Sequence, residues 1–311
     1  MTDADRGNEA DEIVFNRSME GGPGELVRLS PLVRRMVAGN KGPMTFTGTC
    51  TYVVGTGKVA VIDPGPESPA HVAALIDALR GETIETILVT HTHRDHSPAA
   101  AQLKAATGAR IVGCARYEAP AAGEDGAMPR LDAAHDLAYA PDTILAEGDV
   151  IEGPGYSLAA VATPGHTKNH LTFALAEEAA LFSGDHVMAW STSVIVPPDG
   201  GLRDYMGSLD KLRGRDDKVY WPGHGGPVTE PQRFVRALAH HRRQREQAIL
   251  SRLAAGDRAI ADIVANVYQG LDPALRGAAA LSVLAHLEDL VARGDVLSHG
   301  PVSLTAVFEP K

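Results

Sequence analysis

Four side chains able to ligate a metal fall within six residues of this chain: His91, His93, Asp95 and His96 of the run HTHRDH. Nothing else in the sequence constrains it as tightly. The run follows a β-branched, apolar stretch over 83–90 that reads as a strand, and precedes a helix expected over 97–106 and stopped by Gly108. On such a strand-to-helix loop His91 and His93 share one side of an extended segment. Asp95 and His96 swing to a second point as the chain turns. Neutral imidazole and carboxylate suit zinc and similar divalent ions. Burying so many ionisable groups without a metal is costly.

Three more candidate ligands follow turn-forming residues at expected strand ends. These are His166 in Pro164-Gly165-His166-Thr167, Asp185 in Ser183-Gly184-Asp185 and His224 in Trp221-Pro222-Gly223-His224-Gly225. Seven candidates in four loops are too many for one tetrahedral ion and match two ions sharing a bridging carboxylate. Among the other histidines, His186 reads as a substrate contact lining the pocket, and His170 reads as packing. His71, His135, His240, His241, His286 and His299 read as bystanders.

The rest of the chain sets the frame. With 311 residues there is room for two domains. Cys50 and Cys114 are the only cysteines, which excludes a disulfide framework and a four-thiolate zinc site. Lys+Arg number 29 against 39 Asp+Glu, a net charge of −10 that argues against non-specific binding to nucleic acid. Residues 1–24 are acidic and glycine-containing, without the basic start and apolar run of a signal peptide, and read as a flexible tail. No apolar run approaches the ~18 residues of a membrane span, so the expectation is a cytoplasmic protein without membrane partners.

From 49 to 63 two β-branched runs flank a Gly-containing turn. Ser68 then caps a helix opened by Pro69. Strand signals recur between 143 and 183, after a loop over 118–140. Two strand–helix units with β-rich meanders between them suit two face-to-face sheets with helices outside. Thr229 and Gln232 read as a capping box, placing a domain boundary at 231. Helices over about 231–255, 260–268 and 272–293, then a hairpin over 296–308, are the order of a winged-helix module. The domains expected are therefore the tail, a catalytic domain over 25–230 and a winged-helix-like domain over 231–311.

The four ligand motifs, in order, resemble those of the metallo-β-lactamase superfamily, with HTHRDH as its H-x-H-x-D-H signature. The resemblance implies an α/β fold, an αββα sandwich holding two divalent ions, here expected to be zinc with iron and manganese left open. It implies that His91, His93 and His166 bind the first metal, that Asp95, His96 and His224 bind the second, and that Asp185 bridges them. A metal-bridging hydroxide is then the nucleophile, and Asp95 passes a proton to the leaving group. Asp63, in Val61-Ile62-Asp63-Pro64-Gly65, resembles the family's strand-end aspartate and is expected to orient a ligand imidazole.

Departures narrow the chemistry. Asp185 stands where true metallo-β-lactamases commonly carry cysteine, which argues against antibiotic hydrolysis. His93 stands where diiron oxygen-reducing members carry Glu. The run His240-His241-Arg242-Arg243-Gln244-Arg245-Glu246 and Trp190-Ser191-Thr192-Ser193 are similar to the branch typified by β-lactamase-like protein 2, some members of which are reported as single-strand endoribonucleases. Cys50 is a departure, since relatives often carry Asn there. The reading is a two-metal hydrolase of an ester, thioester or phosphodiester in a small molecule or RNA. Alternatives are a single-strand RNA endonuclease, a glyoxalase II-like thioesterase and, outside enzymes, a metal-sensing DNA-binding regulator.

Charge bears on these. Residues 232–311 hold 10 Lys+Arg and 8 Asp+Glu, so +2, leaving −12 before them. Arg233, Arg236, Arg242, Arg243 and Arg245 lie on one expected helix, as a solvated face or a phosphate-tracking one. Glu288, Asp289 and Asp295 sit where a DNA reader needs cations, which argues against sequence-specific DNA binding. The module is expected to pack on the catalytic domain or form a homodimer.

Overall fold

The computed structural model describes residues 12–118 and 134–311. A seven-stranded sheet runs in chain order: β1 (Val27–Arg28), β2 (Val33–Val37), β3 (Cys50–Thr56), β4 (Lys58–Ile62), β5 (Thr83–Val89), β6 (Arg110–Gly113) and β7 (Thr143–Ile144). Its first four strands pair antiparallel, and β4 to β7 pair parallel. The second sheet orders β12 (Val219–Pro222), β11 (Ala180–Gly184), β10 (Leu171–Leu175), β9 (Tyr156–Ala162) and β8 (Val150–Gly153).

Side-chain alternation explains why these sheets stack. Leu171, Phe173 and Leu175 of β10, and Ala180 and Phe182 of β11, face the first sheet and join the core of β3, β4 and β5. The intervening Ala174 and Leu181 face the other way, into a second core. Helices α1 (Pro69–Ala78) and α2 (Ala99–Thr107) cover the first sheet through Val72, Leu75 and Leu103. Helices α3 (Leu202–Arg213) and α4 (Pro231–Ala254) cover the second through Leu209, Leu212, Val235 and Leu238. The result is the expected αββα sandwich. The Ser68 side chain caps α1 by accepting from His71 N, and Gly108, at φ 77°, closes α2 in the left-handed conformation that favours glycine.

A third core joins the end of α4 to α5 (Ile260–Val267), α6 (Arg276–Arg293) and the hairpin β13 (Val296–His299) and β14 (Val307–Pro310). The boundary expected at 231 is not a break between separate bodies. Helix α4 gives Val235 and Leu238 to the sandwich and Ile249 and Leu253 to the C-terminal core, so one rigid rod serves both. Arg203 of α3 also pairs with Asp289 of α6 at 2.9 Å.

Two local expectations are corrected. Glu230, not Thr229, is the N-cap of α4, and the Gln232 amide instead donates to the carbonyls of Arg215 and Asp217, 2.6 and 3.0 Å away. The tertiary carbonyls outcompete a local cap. Residues 1–11 of the expected tail lie outside the described residues, as do 119–133 of the expected loop. Residues 12–24 are not a free tail: Asn16 N donates to Ala189 O at 2.8 Å, Phe15 meets Phe234 edge-on at 6.5 Å, and Gly24 N donates to Val37 O. A few apolar side chains and backbone groups suffice to lay an acidic segment across the sandwich.

Phe173 is fully buried between the sheets. Truncation there removes both its transfer free energy and its packing. Phe173→Ala is expected to lower unfolding stability by about 3–5 kcal/mol, measurable by denaturant titration.

Candidate metal centre

All seven candidate ligands lie in loops at one edge of the sandwich. His91, His93, Asp95 and His96 follow β5, His166 lies between β9 and β10, Asp185 directly follows β11, and His224 follows β12. They form three groups: His91, His93 and His166; His91, His96 and Asp185; and Asp95, His96 and His224. Within the first, His93 Nδ1 lies 3.0 Å from both His91 Nε2 and His166 Nε2. Within the last, His224 Nε2 lies 3.1 Å from Asp95 Oδ2 and 3.3 Å from His96 Nε2. Asp185 reaches both: its Oδ1 is 3.5 Å from His96 Nε2, and its Oδ2 is 3.7 Å from His166 Nε2 and 3.4 Å from His224 Nε2.

These separations fit cations. Donors held at ~2.0–2.1 Å around a tetrahedral ion stand roughly 3.3 Å apart. Asp185 Oδ1 is buried without a hydrogen-bond partner among the described residues, a cost that a cation removes. The donor set is imidazole and carboxylate throughout, with no thiolate.

Four of the five rings are held by their other nitrogen. His91 Nδ1 is 2.9 Å from Thr90 Oγ1, His96 Nδ1 is 2.9 Å from Asp63 Oδ2, His166 Nδ1 is 2.6 Å from Val194 O, and His224 Nδ1 is 3.3 Å from Gly48 O. That leaves Nε2 facing the cluster in all four. His93 is turned the other way and presents Nδ1. Asp63 also accepts from Thr90 N and Thr90 Oγ1, both at 2.8 Å, and adopts φ 49°, a left-handed conformation that Asp tolerates. Gly223 is required for room: a Cβ there would lie 2.3 Å from Asp185 Oδ1 and 2.7 Å from His96 Cε1.

The electrostatics divide the cluster. Burial, then the neighbouring imidazoles, hold His91 and His93 far below the usual histidine range, so both are neutral donors. Burial also presses on His96 and His224, but the facing carboxylates overcome it. Asp95, Asp185 and Asp63 raise His96, and Asp185 and Asp95 raise His224 to about 9. Burial likewise opposes ionisation of Asp95 and Asp185, and the His96 and His224 charges outweigh it, holding both carboxyls below their usual range. A bound cation takes the place of the protons on His96 and His224.

Other histidines depart from their sequence reading. His135 is fully buried against His93, with ring centroids 4.8 Å apart; it stacks on Tyr117 at 3.8 Å and contacts Thr92 Oγ1 at 2.9 Å. His170 accepts from Asp185 N at 3.2 Å, so it positions the shared carboxylate rather than merely packing. His71 is buried with Nε2 2.9 Å from Thr51 Oγ1. His186 does not line an open surface. Its ring is fully buried, 4.5 Å from that of Tyr205, because Gly184 turns the chain so that Asp185 faces the cluster and its neighbour faces the core.

Two stacked sheets with a four-loop His/Asp cluster at their edge define the class, a sandwich-fold metalloprotein. The model for the metallo-beta-lactamase superfamily matches residues 44–224, and that for the beta-lactamase associated winged helix domain matches residues 259–301. The chain belongs to the metallo-beta-lactamase superfamily and is a metal-dependent hydrolase. It is similar to the Drosophila melanogaster beta-lactamase-like protein 2 homolog, 32% identical over 278 residues, covering 86% of this chain and 91% of that one. It is also similar to an atrochrysone carboxyl ACP thioesterase of Aspergillus fumigatus, 32% identical over 229 residues, 71% of this chain and 65% of that one. Among solved structures, a beta-lactamase domain protein from Burkholderia ambifaria shares the fold, with a TM-score of 0.78 at 20% identity, over 94% of this chain and 96% of that one. No helix among the described residues is long and apolar enough to cross a membrane.

Asp63→Ala releases His96 and Thr90 together. Metal affinity is expected to fall about 10–100-fold, read by competition with a chromogenic chelator, with the fold retained by circular dichroism. Cys50 lies in this wall, its Sγ 3.6 Å from Gly225 O, and burial pushes its thiol up to about 11. At pH 7.5 the thiolate fraction is then roughly 0.03%. Alkylation of the native protein is expected to be negligible, rising only on unfolding, as mass spectrometry would record.

Proposed function

We propose that this chain is a two-metal hydrolase of acyl esters, thioesters first among them. The observation that carries the reading is Asp185, whose two oxygens face both ligand groups and which has no other partner for Oδ1. His91, His93 and His166 would hold one divalent ion and Asp95, His96 and His224 the other, with the Asp185 carboxylate available to both. Zinc is the ion best matched to imidazole and carboxylate donors. When bound, such a pair lowers the pKa of water toward ~7 and stabilises developing negative charge on oxygen.

The chain's own residues supply the remainder. Thr90, Asp63, Val194 O and Gly48 O orient four imidazoles in the absence of substrate, a preorganisation that spares the reaction the cost of reorienting them. Asp95 is the least buried of the carboxylates here, with 26% of its side chain exposed, and Thr49 Oγ1 donates to its Oδ2 at 3.3 Å. It can both hold a cation and pass a proton to the leaving group.

The thioester preference rests on the Aspergillus relative, which is named as an acyl-carrier thioesterase. The charge distribution supports it over RNA. Of the six arginines on α4, Arg233 pairs with Glu230 at 3.0 Å, Arg252 pairs with Asp257 at 2.7 Å, Arg242 is buried, and Arg245 lies over the Tyr268 ring at 4.7 Å; among the described residues that leaves Arg236 and Arg243 as the exposed arginines of this helix outside an ion pair, a short basic stretch for a phosphate backbone. Asp289 on α6 pairs with Arg203 of α3, which ties the winged-helix module to the sandwich instead of freeing it for DNA.

The test is turnover by zinc-replete protein of an acyl thioester and of single-stranded RNA. Thioester hydrolysis is expected, with Asp185→Ala and His93→Ala lowering kcat/KM by about 10³-fold or more and bound zinc falling below two per chain. RNA cleavage without thioester hydrolysis would move the assignment to phosphodiesters. Inactivity on both with two zinc ions bound would sink it.

A further inference from the structure

Arg242 poses a physical problem. It is 4% exposed, its Nη2 donates to Ser193 O, and its guanidinium sits 5.2 Å from the Tyr205 ring centroid. Its Nε is buried with no partner. On α4, Arg233 and Arg252 pair with acids and Glu246 pairs with Arg293, whereas no ion pair among the described residues includes Arg236, Arg242, Arg243 or Arg245; of these four, Arg236 and Arg243 are exposed to water, Arg245 is half-buried and Arg242 is buried. A buried guanidinium without a counter-ion is costly.

Arg242 lines a cleft of about 400 Å³ between the sandwich and the C-terminal module. Arg17 and Arg245 line it too, and no Asp or Glu among the described residues does. Its other walls mix apolar side chains, Phe15, Trp190 and Tyr268 prominent among them, with His241 and the hydroxyl residues of 191–193. A second hollow of about 520 Å³ lies next to it, with Tyr268 and Leu271 as common walls, Val264 and Ala280 as apolar lining, and Gln269 and Arg276 at its edge. The cleft adjoins the metal centre, because Val194 lines it and its carbonyl holds His166 Nδ1 at 2.6 Å.

We propose that this cleft is the substrate-recognition site and that it takes an amphipathic oxyanion, with a carboxylate or phosphate between Arg242 and Arg245 and an apolar chain running from Trp190 toward Tyr268. Bidentate guanidinium contacts suit either oxyanion. Calling this ligand the substrate rests on the hydrolase reading above, but the site itself is read by binding alone.

The experiment uses the zinc-replete full chain and three probes of one apolar length: decanoate, decyl phosphate and decanol. Trp190 fluorescence reports occupancy, with Trp190→Phe as the control for the buried Trp221. At least one anion is expected to bind about tenfold or more tightly than decanol, and which anion does so separates carboxylate from phosphate recognition. Arg245→Gln, on a partly exposed side chain, is expected to bring anion and alcohol within about threefold of each other. Arg242→Gln is expected to do the same if it folds, and Arg245→Gln decides the matter if it does not. Equal binding of anion and alcohol by the unaltered protein would overturn the proposal, as would an anion preference that survives Arg245→Gln. Anion binding lost on zinc removal yet indifferent to Arg245→Gln would place the oxyanion on the metal and also overturn it. Anion selectivity without hydrolysis of any acyl substrate counts against the hydrolase reading alone. Hydrolysis without anion selectivity counts against the cleft alone.

Discussion

The structure depends on keeping five imidazoles and two carboxylates together at one edge of a sandwich, nearly out of water. His91 and His96 are fully buried and His224 is 1% exposed. Groups so placed cannot be left to find their own orientation, since an unpaired buried polar atom costs about 1–3 kcal/mol and a charge more. Every orienting partner comes from the same edge: Thr90 and Asp63 from the ends of β5 and β4, Val194 and Gly48 from the adjoining loops. That is why sheet stacking matters to the chemistry. Phe173 and Phe182 set the spacing of the two sheets, and that spacing decides whether His166 and Asp185 reach the loop that follows β5.

Much of this was legible because the ligand chemistry is carried by residue type and spacing. HTHRDH after a β-branched run, and small turn residues before His166, Asp185 and His224, locate the cluster without coordinates. The caps at Ser68 and Gly108 are equally local. What stayed hidden is what any residue type can supply. Val194 and Gly48 act through backbone carbonyls, which carry no signal in the sequence. His135 and His170 are single histidines whose roles arise only when folding brings them against His93 and Asp185. Helical periodicity in α4 identifies its buried positions but not that Val235 and Ile249 enter two different cores. Residues 12–24 show the same limit, since their composition says nothing of Phe234, whose ring Phe15 meets, or of the backbone carbonyls that Asn16 and Gly24 find.

The segment from Trp190 to Val194 joins the two halves of the molecule. Ser193 Oγ donates to the carbonyls of Asp185 and His186, at 2.6 and 2.7 Å, while Val194 O holds His166. Two ligands from opposite sides of the centre are thus tied to one short loop. That loop is fastened from outside by Arg242, which donates to Ser193 O from α4, the helix shared with the C-terminal core. Trp190 stacks on Phe46 at 5.0 Å, and Gly225, next to His224, leaves no room for a side chain against that indole. Displacing α4 would therefore move Ser193, and with it the support of Asp185 and His166. The winged-helix module, on this geometry, is part of the scaffold that keeps the candidate metal ligands in place, and a ligand in the cleft it forms with the sandwich would touch the loop that orients them.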